Sequence, residues 1–160
     1  MRIGVLSDTH SLLRPSVLTA FQAIPGGVDH ILHAGDVGDP KILDELAAIA
    51  PVTAVRGNVD YGGRCGQLPV TETIIADGHT LYMLHVLELL DLDPGVAGFS
   101  AVIFGHSHQP LIDWRSAPDG RRVLYFNPGS CGPRRFSLPV SLGFIEIVGD
   151  ELRPQLVDLM

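Results

Sequence analysis

The sequence predicts an α/β domain in which two packed sheets carry helices on the outside, and three observations lead there. Apolar strand-like runs alternate with helical stretches through the first half, strands crowd the second half, and polar residues gather directly after the apolar runs. Alternation implies right-handed crossovers and a parallel sheet. The second half holds more strands than one doubly wound sheet accommodates, so a second sheet is expected. A length of 160 residues fits one domain over residues 1–160, able to bury roughly two-thirds of its unfolded surface.

In chain order, "RIGVL" (2–6) reads as a buried strand. "RPSVLTAFQAI" (14–24) reads as a helix, because Pro15 suits a first turn and Val17, Leu18, Phe21 and Ile24 recur at helical spacing. Pro25-Gly26-Gly27 stops it. "HILHA" (30–34) is a second strand. "PKILDELAAIA" (40–50) is a second helix, with Asp39 as its cap and Ile42, Leu43, Leu46 and Ile49 on one face. "VTAV" (52–55) is a third strand. "VTETIIA" (70–76) and "TLYMLHV" (80–86) flank Asp77-Gly78, a two-residue hairpin signal. Residues 93–99 predict a short helix. "SAVIFG" (100–105), "PLIDWR" (110–115), "RRVLYF" (121–126), "SLGFIEIV" (141–148) and "RPQLVDL" (153–159) complete the strands.

Composition narrows the function classes. The chain is 46% hydrophobic and 18% charged with a net charge of -7, as in a compact globular protein. Its only paired basic residues are Arg121-Arg122 and Arg134-Arg135, so stable nucleic-acid binding is not expected, although local charge admits a small phosphate ligand. Cys65 and Cys131 lack CxxC spacing and read as free thiols of a reducing compartment. No apolar run reaches membrane-spanning length, and the first apolar stretch is too short for a signal-peptide core. The expectation is a cytoplasmic protein with no membrane partner; the apolar C-terminal strands either pack on the sheet or pair with a second copy in a homo-oligomer.

The polar residues carry the chemistry. "SDTH" follows the first strand and supplies Asp8 and His10; "GDVGD" follows the second and supplies Asp36; "RGNVD" follows the third and supplies Asn58 and Asp60. His85 ends "TLYML", and "GHSH" after "AVIF" supplies His106 and His108. In a parallel sheet such segments emerge at one edge, the carboxyl ends of the strands, where open α/β sheets bind ligands. If the strand ends stay extended, Asp8 and His10 point together, as do His106 and His108. Glycines before Asp36, Asn58 and His106 suit a sharply bending backbone. The donor set Asp8, His10, Asp36, Asn58, His85, His106 and His108 mixes imidazole, carboxylate and amide without thiolate, which suits Mn²⁺, Zn²⁺, Fe or Ni²⁺. Seven donors exceed one tetrahedral ion and match two ions sharing a carboxylate.

Each segment alone is a common turn. Their order, D-x-H, G-D-x-x-D, G-N-x-[DE], a lone His and G-H-x-H, resembles the calcineurin-like metallophosphoesterases, and "NPGS" (127–130) resembles their small prokaryotic, YfcE-like phosphodiesterase branch. The match runs from Asp8 to Ser130. The resemblance implies a four-layer α/β/β/α sandwich of two mixed sheets flanked by helices. It implies two divalent ions, Mn²⁺ foremost, one held by Asp8, His10, Asp36 and His108 and the other by Asp36, Asn58, His85 and His106, with Asp36 bridging. It also implies hydrolysis of a small phosphodiester by in-line attack of a metal-bridging hydroxide, with Asp36, Asn58 and His85 at the reacting centre. Other members of the fold are phosphomonoesterases or protein phosphatases, or a non-catalytic retromer subunit that serves as an interaction scaffold. Retention of every ligand position favours an enzyme.

Two departures bear on mechanism. The better-known phosphatases have a His after the motif Asn, where this chain has Val59, which transfers no proton. The lone His is usually followed by Gly, and here by Val86. Without that acid, esters with good leaving groups are favoured, since general-acid help is worth about 10²–10⁴-fold. Asp60 is the remaining candidate acid or ligand-orienting group, and Arg134 and Arg135 are candidates for clamping the substrate phosphate.

Overall fold

The computed structural model describes residues 1–160. Strands β1 (Arg2–Leu6), β2 (His30–His33), β3 (Val52–Ala54), β9 (Ser141–Val148) and β10 (Glu151–Asp158) form one sheet in the order β10-β9-β1-β2-β3. Strands β4 (Thr71–Ala76), β5 (His79–Leu84), β6 (Ala101–Ile103), β7 (Leu111–Ser116) and β8 (Arg122–Asn127) form the other in the order β4-β5-β6-β8-β7. Each sheet has a parallel centre, β1-β2-β3 in one and β5-β6-β8 in the other, with antiparallel strands at its margins.

Strand alternation builds the layers. Ile3, Val5 and Leu32 of the first sheet face Leu81, Met83, Ile103, Leu124 and Phe126 of the second in one buried cluster between the sheets. The opposite face of the first sheet presents Ile31, Leu142 and Phe144 to helices α1 (Pro15–Gln22) and α2 (Lys41–Ala47), where Val17, Phe21, Ile42, Leu43 and Leu46 are buried. Gly4 lies on this face because Phe21 fills the space a Cβ would need. Pro15 opens α1, where a missing N–H costs nothing. The residue before α2 proper is Pro40; Asp39 acts on the preceding turn, accepting from the Lys41 N–H at 2.9 Å.

The fourth layer is thinner than an α/β/β/α sandwich implies. The outer face of the second sheet, with Tyr82, Leu84, Val102, Phe104 and Tyr125, is covered by Leu87, Leu90, Leu92 and Phe99. These residues belong to a 3₁₀ turn (Leu87–Leu89) and to irregular chain. Residues 93–99 are successive turns and not the expected helix; Ala97 N–H donates to Asp93 O and Phe99 N–H to Pro94 O. Pro94, Gly95 and Gly98 within seven residues leave too few good helix formers to propagate. A short helix α3 (Gly63–Gly66), absent from the sequence reading, follows β3. Asp77-Gly78 closes the β4–β5 hairpin with both residues at positive φ, as that two-residue turn requires. The C-terminal strand packs on the sheet, pairing with β9 over its full length. Cys65 and Cys131 are buried, free thiols, and burial pushes Cys131 up to about 12. No helix is long and apolar enough to cross a membrane.

Candidate metal centre

The carboxyl ends of β1, β2 and β3 meet those of β5, β6 and β8 at one end of the sandwich, and the polar segments lie there. Loop 7–11 after β1 is laced to loop 35–37 after β2 by main-chain bonds: Asp8 N–H to Gly35 O, His10 N–H to Asp36 O and Ser11 N–H to Val37 O, each 2.9–3.0 Å. The second sheet is tied in by Gly105 N–H to His85 O, His106 N–H to Asp8 Oδ2 at 3.1 Å, and Ser130 Oγ–H to Asp8 O at 3.0 Å.

These loops do not stay extended, and this corrects the expectation for His106 and His108, which turn apart, whereas Asp8 Oδ1 and His10 Nε2 still lie 3.7 Å from each other. Asp8, His10, Asp36, His106 and His108 all have positive φ, between 45° and 70°. Non-glycine residues adopt this region at a cost of about 1–3 kcal/mol each, and such residues concentrate at functional sites. The result is a fan. His108 Nε2 turns to Asp8 Oδ1 at 3.3 Å and to His10 Nε2 at 3.4 Å, whereas His106 Nδ1 turns to Asn58 Oδ1 at 3.0 Å. His85 Nε2 lies 3.0 Å from Asn58 Oδ1, 3.2 Å from Asp36 Oδ2 and 3.8 Å from Asp8 Oδ1. His10 Nε2 is 3.5 Å from Asp36 Oδ2.

All seven sequence-selected donors therefore converge, in two groups joined through Asp8 and Asp36. Asp8, His10 and His108 make one cation-sized triad; Asp8, Asp36 and His85 make another. Glycines make the approach feasible. A Cβ on Gly57 would collide with the Asp36 carboxylate and main chain, and one on Gly105 with Ser7 and Asp8. A Cβ on Gly35 would meet the His85 ring. Only Gly35 of these three has positive φ, so close approach, more than bending, is what selects glycine here.

The electrostatics test whether a cation fits. His85 Nδ1–H donates to Ala34 O at 2.7 Å, which leaves Nε2 with its lone pair facing the oxygens of Asn58, Asp36 and Asp8. Asp8 is fully buried, and no hydrogen bond of good geometry reaches its Oδ1 despite the neighbouring imidazoles. Electron-rich atoms facing one another inside a protein repel unless a positive charge lies between them. A proton on His85 supplies part of that charge: burial would lower its affinity, yet the Asp36 carboxylate and the Asp8 charge raise it above the ordinary imidazole value. Burial likewise favours protonation of Asp8, but His10 and His108 outweigh it and hold the carboxyl well below the usual range. Asp36 shows the same balance, lowered by His85 and by the Val59 N–H donating to its Oδ1 at 2.9 Å. The residues present fit divalent cations: oxygen and imidazole donors, two of them negative, with orphaned lone pairs turned inward.

Some candidates stand elsewhere. Asp60 is buried with both oxygens engaged, Oδ2 accepting from Val37 and Gly57 N–H and Oδ1 from Gly38 N–H, at 2.9–3.1 Å. Asp60, by sequence a candidate acid or ligand-orienting group, thus clamps the β2 and β3 loops together. Arg134 donates Nε–H to Leu138 O within its own exposed loop, and exposed Arg135 makes no side-chain bond to the cluster.

Other residues brace the centre without having been singled out as site residues. Buried Asn127, at the end of β8, donates Nδ2–H to Gly105 O at 3.0 Å and to Ser107 Oγ at 3.1 Å, holding the "GHSH" loop. Its signal was available: a polar residue closing an apolar strand, like the others. His33 accepts the Gly35 N–H at Nδ1, so its Nε2–H donates to Thr9 Oγ1 at 3.0 Å, and Thr9 Oγ1–H donates to Val37 O at 2.8 Å. This chain needs a neutral ring, and burial pushes His33 down to about 4. His79, remote from the centre, bridges Ser100 Oγ and Gly149 O.

Comparison with known proteins agrees with this arrangement. A family model described as the calcineurin-like phosphoesterase superfamily domain matches residues 1–150. A protein of Methanocaldococcus jannaschii named a probable metallophosphoesterase is 38% identical over 143 residues, covering 81% of this chain and 68% of the relative. A Methanothermobacter thermautotrophicus protein of the same description is 33% identical, covering 98% of this chain and 92% of the relative. A solved structure described as a novel archaeal phosphodiesterase superposes with a TM-score of 0.75 at 24% identity, covering 98% of this chain and 100% of the other. With its ordered motifs converging at one end of two mixed sheets, the chain belongs to the calcineurin-like phosphoesterase superfamily.

Proposed function

We propose that this protein is a dinuclear metal-dependent phosphodiesterase acting on a small phosphodiester in the cytoplasm, with Mn²⁺ as its foremost metal. The observation that carries the reading is the inward convergence of Asp8 Oδ1, Asp36 Oδ2, Asn58 Oδ1 and His85 Nε2, electron-rich atoms whose mutual approach a pair of cations would make favourable. Asp8, His10, Asp36 and His108 would hold one ion, and Asp36, Asn58, His85 and His106 the other. Bound divalent ions supply water activation near neutral pH and offset charge on phosphoryl oxygens.

The chain's own residues do the positioning. Ala34 O fixes the His85 tautomer so that Nε2 stays a donor of electrons. The Val59 N–H holds one Asp36 oxygen and leaves the other facing the centre. Asp60 fixes the two loops that carry Asp36 and Asn58. The Val59 side chain offers no proton, so the departing alkoxide takes one from solvent or leaves as a weak base. That supports diesters with good leaving groups over the phosphomonoesterase and protein phosphatase readings. Retention of all seven donors supports catalysis over a scaffold role.

The test is metal analysis of the purified protein together with turnover of bis(4-nitrophenyl) phosphate and 4-nitrophenyl phosphate in Mn²⁺. Bound metal and faster diester than monoester turnover are expected. Faster monoester turnover overturns the diester assignment, and absence of both metal and turnover overturns the enzyme.

A further inference from the structure

Beside the metal centre, and sharing Asn58 and His85 with it, is a cavity of about 360 Å³ that Asp60 also lines. Its remaining wall is largely apolar: Tyr61, Val70, Leu84, Val86 and Leu89, with Arg56 and Thr71 at its polar margin. Three of these apolar residues are exposed, Tyr61 at 83%, Leu89 at 68% and Val70 at 49%. They come from three separate segments, the loop after β3, the residue before β4 and the 3₁₀ turn after β5. Exposed large apolar side chains gathered from separate segments onto one concavity mark a binding surface rather than chance exposure.

We propose that this cavity is the subsite for one ester substituent, and that the substrate class is phosphoesters carrying an aromatic group. The proposal rests on the phosphoesterase reading and adds to it what the ester must look like on one side. Continuity argues for the occupant: Asn58 and His85 line this cavity, so a phosphoryl group bound at them would turn a substituent toward its wall. The volume accommodates a single ring system. A sugar or charged substituent would lose hydration against Val70, Leu84, Val86 and Leu89 with few partners to replace it. An aromatic ring loses little and gains offset or edge contact with Tyr61. The Arg56 Nη1–H donates to Gly66 O at 3.1 Å, which holds this cation at the rim.

The probes are phenylphosphonate and methylphosphonate, titrated calorimetrically into the Mn²⁺-loaded protein. They share the anionic head and differ in the ring, so their ratio reports the subsite and not turnover. Burial of a phenyl ring predicts at least about tenfold tighter binding of phenylphosphonate. Leu89→Asp and Val70→Asp, at positions exposed in the folded protein, should each cut that preference to within about twofold, and Leu89→Phe should keep it. Equal, measurable binding of both phosphonates overturns the subsite and leaves the phosphoesterase reading standing. A phenyl preference that survives both aspartate substitutions also overturns the subsite. Binding of neither phosphonate overturns the subsite and the phosphoesterase reading together.

Discussion

The two halves of the centre are built differently. The half around Asp8 and His108 is closed: Asp8 is 0% exposed and His108 4%, and main-chain bonds lace its loops together. The half around Asn58 and His106 is open, with both residues exposed and the apolar cavity at its side. Burial strengthens every charge interaction and slows exchange with water. On the proposed two-ion reading, the closed half should hold its cation tightly, and the open half should exchange its own and meet the substrate. One end of the molecule thus combines a buried half with an exposed one.

The largest expected effect removes the link between the halves. Asp36→Ala should lower diester turnover about 10³-fold and reduce the content of both ions, because it takes a negative charge from each. Loss of only one ion, seen by metal analysis, would show that the halves are independent and that Asp36 does not bridge.

Acid should damage the closed half next. Folded His33 binds its proton only near pH 4, whereas the unfolded ring binds near 6.5. Between those values the unfolded state takes up the extra proton, so stability is full above about pH 6.5 and falls as pH drops toward 4. The His33 share of that loss is about 3 kcal/mol. Urea unfolding in chelator at pH 7 and 4.5 should show a steeper decline for the parent than for His33→Gln. Equal slopes would remove His33 from the account.

A smaller effect separates the halves directly. His108→Ala should strip an ion that otherwise survives dialysis, and His106→Ala should weaken the ion that exchanges faster, each by about 10–100-fold in affinity. If both variants lose the same ion, the fan described for the "GHSH" loop does not divide the ligands. Smallest is Asn127→Ala, which leaves every proposed ligand in place but frees that loop. About a tenfold fall in turnover is expected, within the range for residues that orient ligands. Thermal unfolding should also drop, by about 1–3 kcal/mol for buried groups left unpaired. Unchanged turnover with lowered stability would limit Asn127 to a structural role.

Much of this was legible in the residues. Apolar runs at strand length mark all ten strands within a few positions; the central ones are buried on both faces, which leaves little freedom in composition, and marginal ones such as β4 show an alternating pattern. The 93–99 segment forms turns in place of the expected helix because Pro94, Gly95 and Gly98 interrupt it, while its Phe99 packs on the second sheet. Motif order assembled the seven donors, since the carboxyl ends of parallel strands share an edge whatever lies between them. For Asp60 the sequence leaves an acid or a ligand-orienting group open, because its type and position say nothing of the three N–H groups that occupy it.

The sequence by itself determined which strands form, that they need two sheets, and which side chains gather at one end. It did so through periodicity and order, which are local properties of the chain. Only the tertiary structure decided how those side chains face one another. The left-handed backbone at five donors belongs to loops laced to one another, and the fixed tautomer of His85, the Asp60 clamp and the apolar wall of the cavity depend on contacts between residues distant in sequence. A side chain's direction and protonation follow from the partners that surround it, and those exist only once both sheets have packed together.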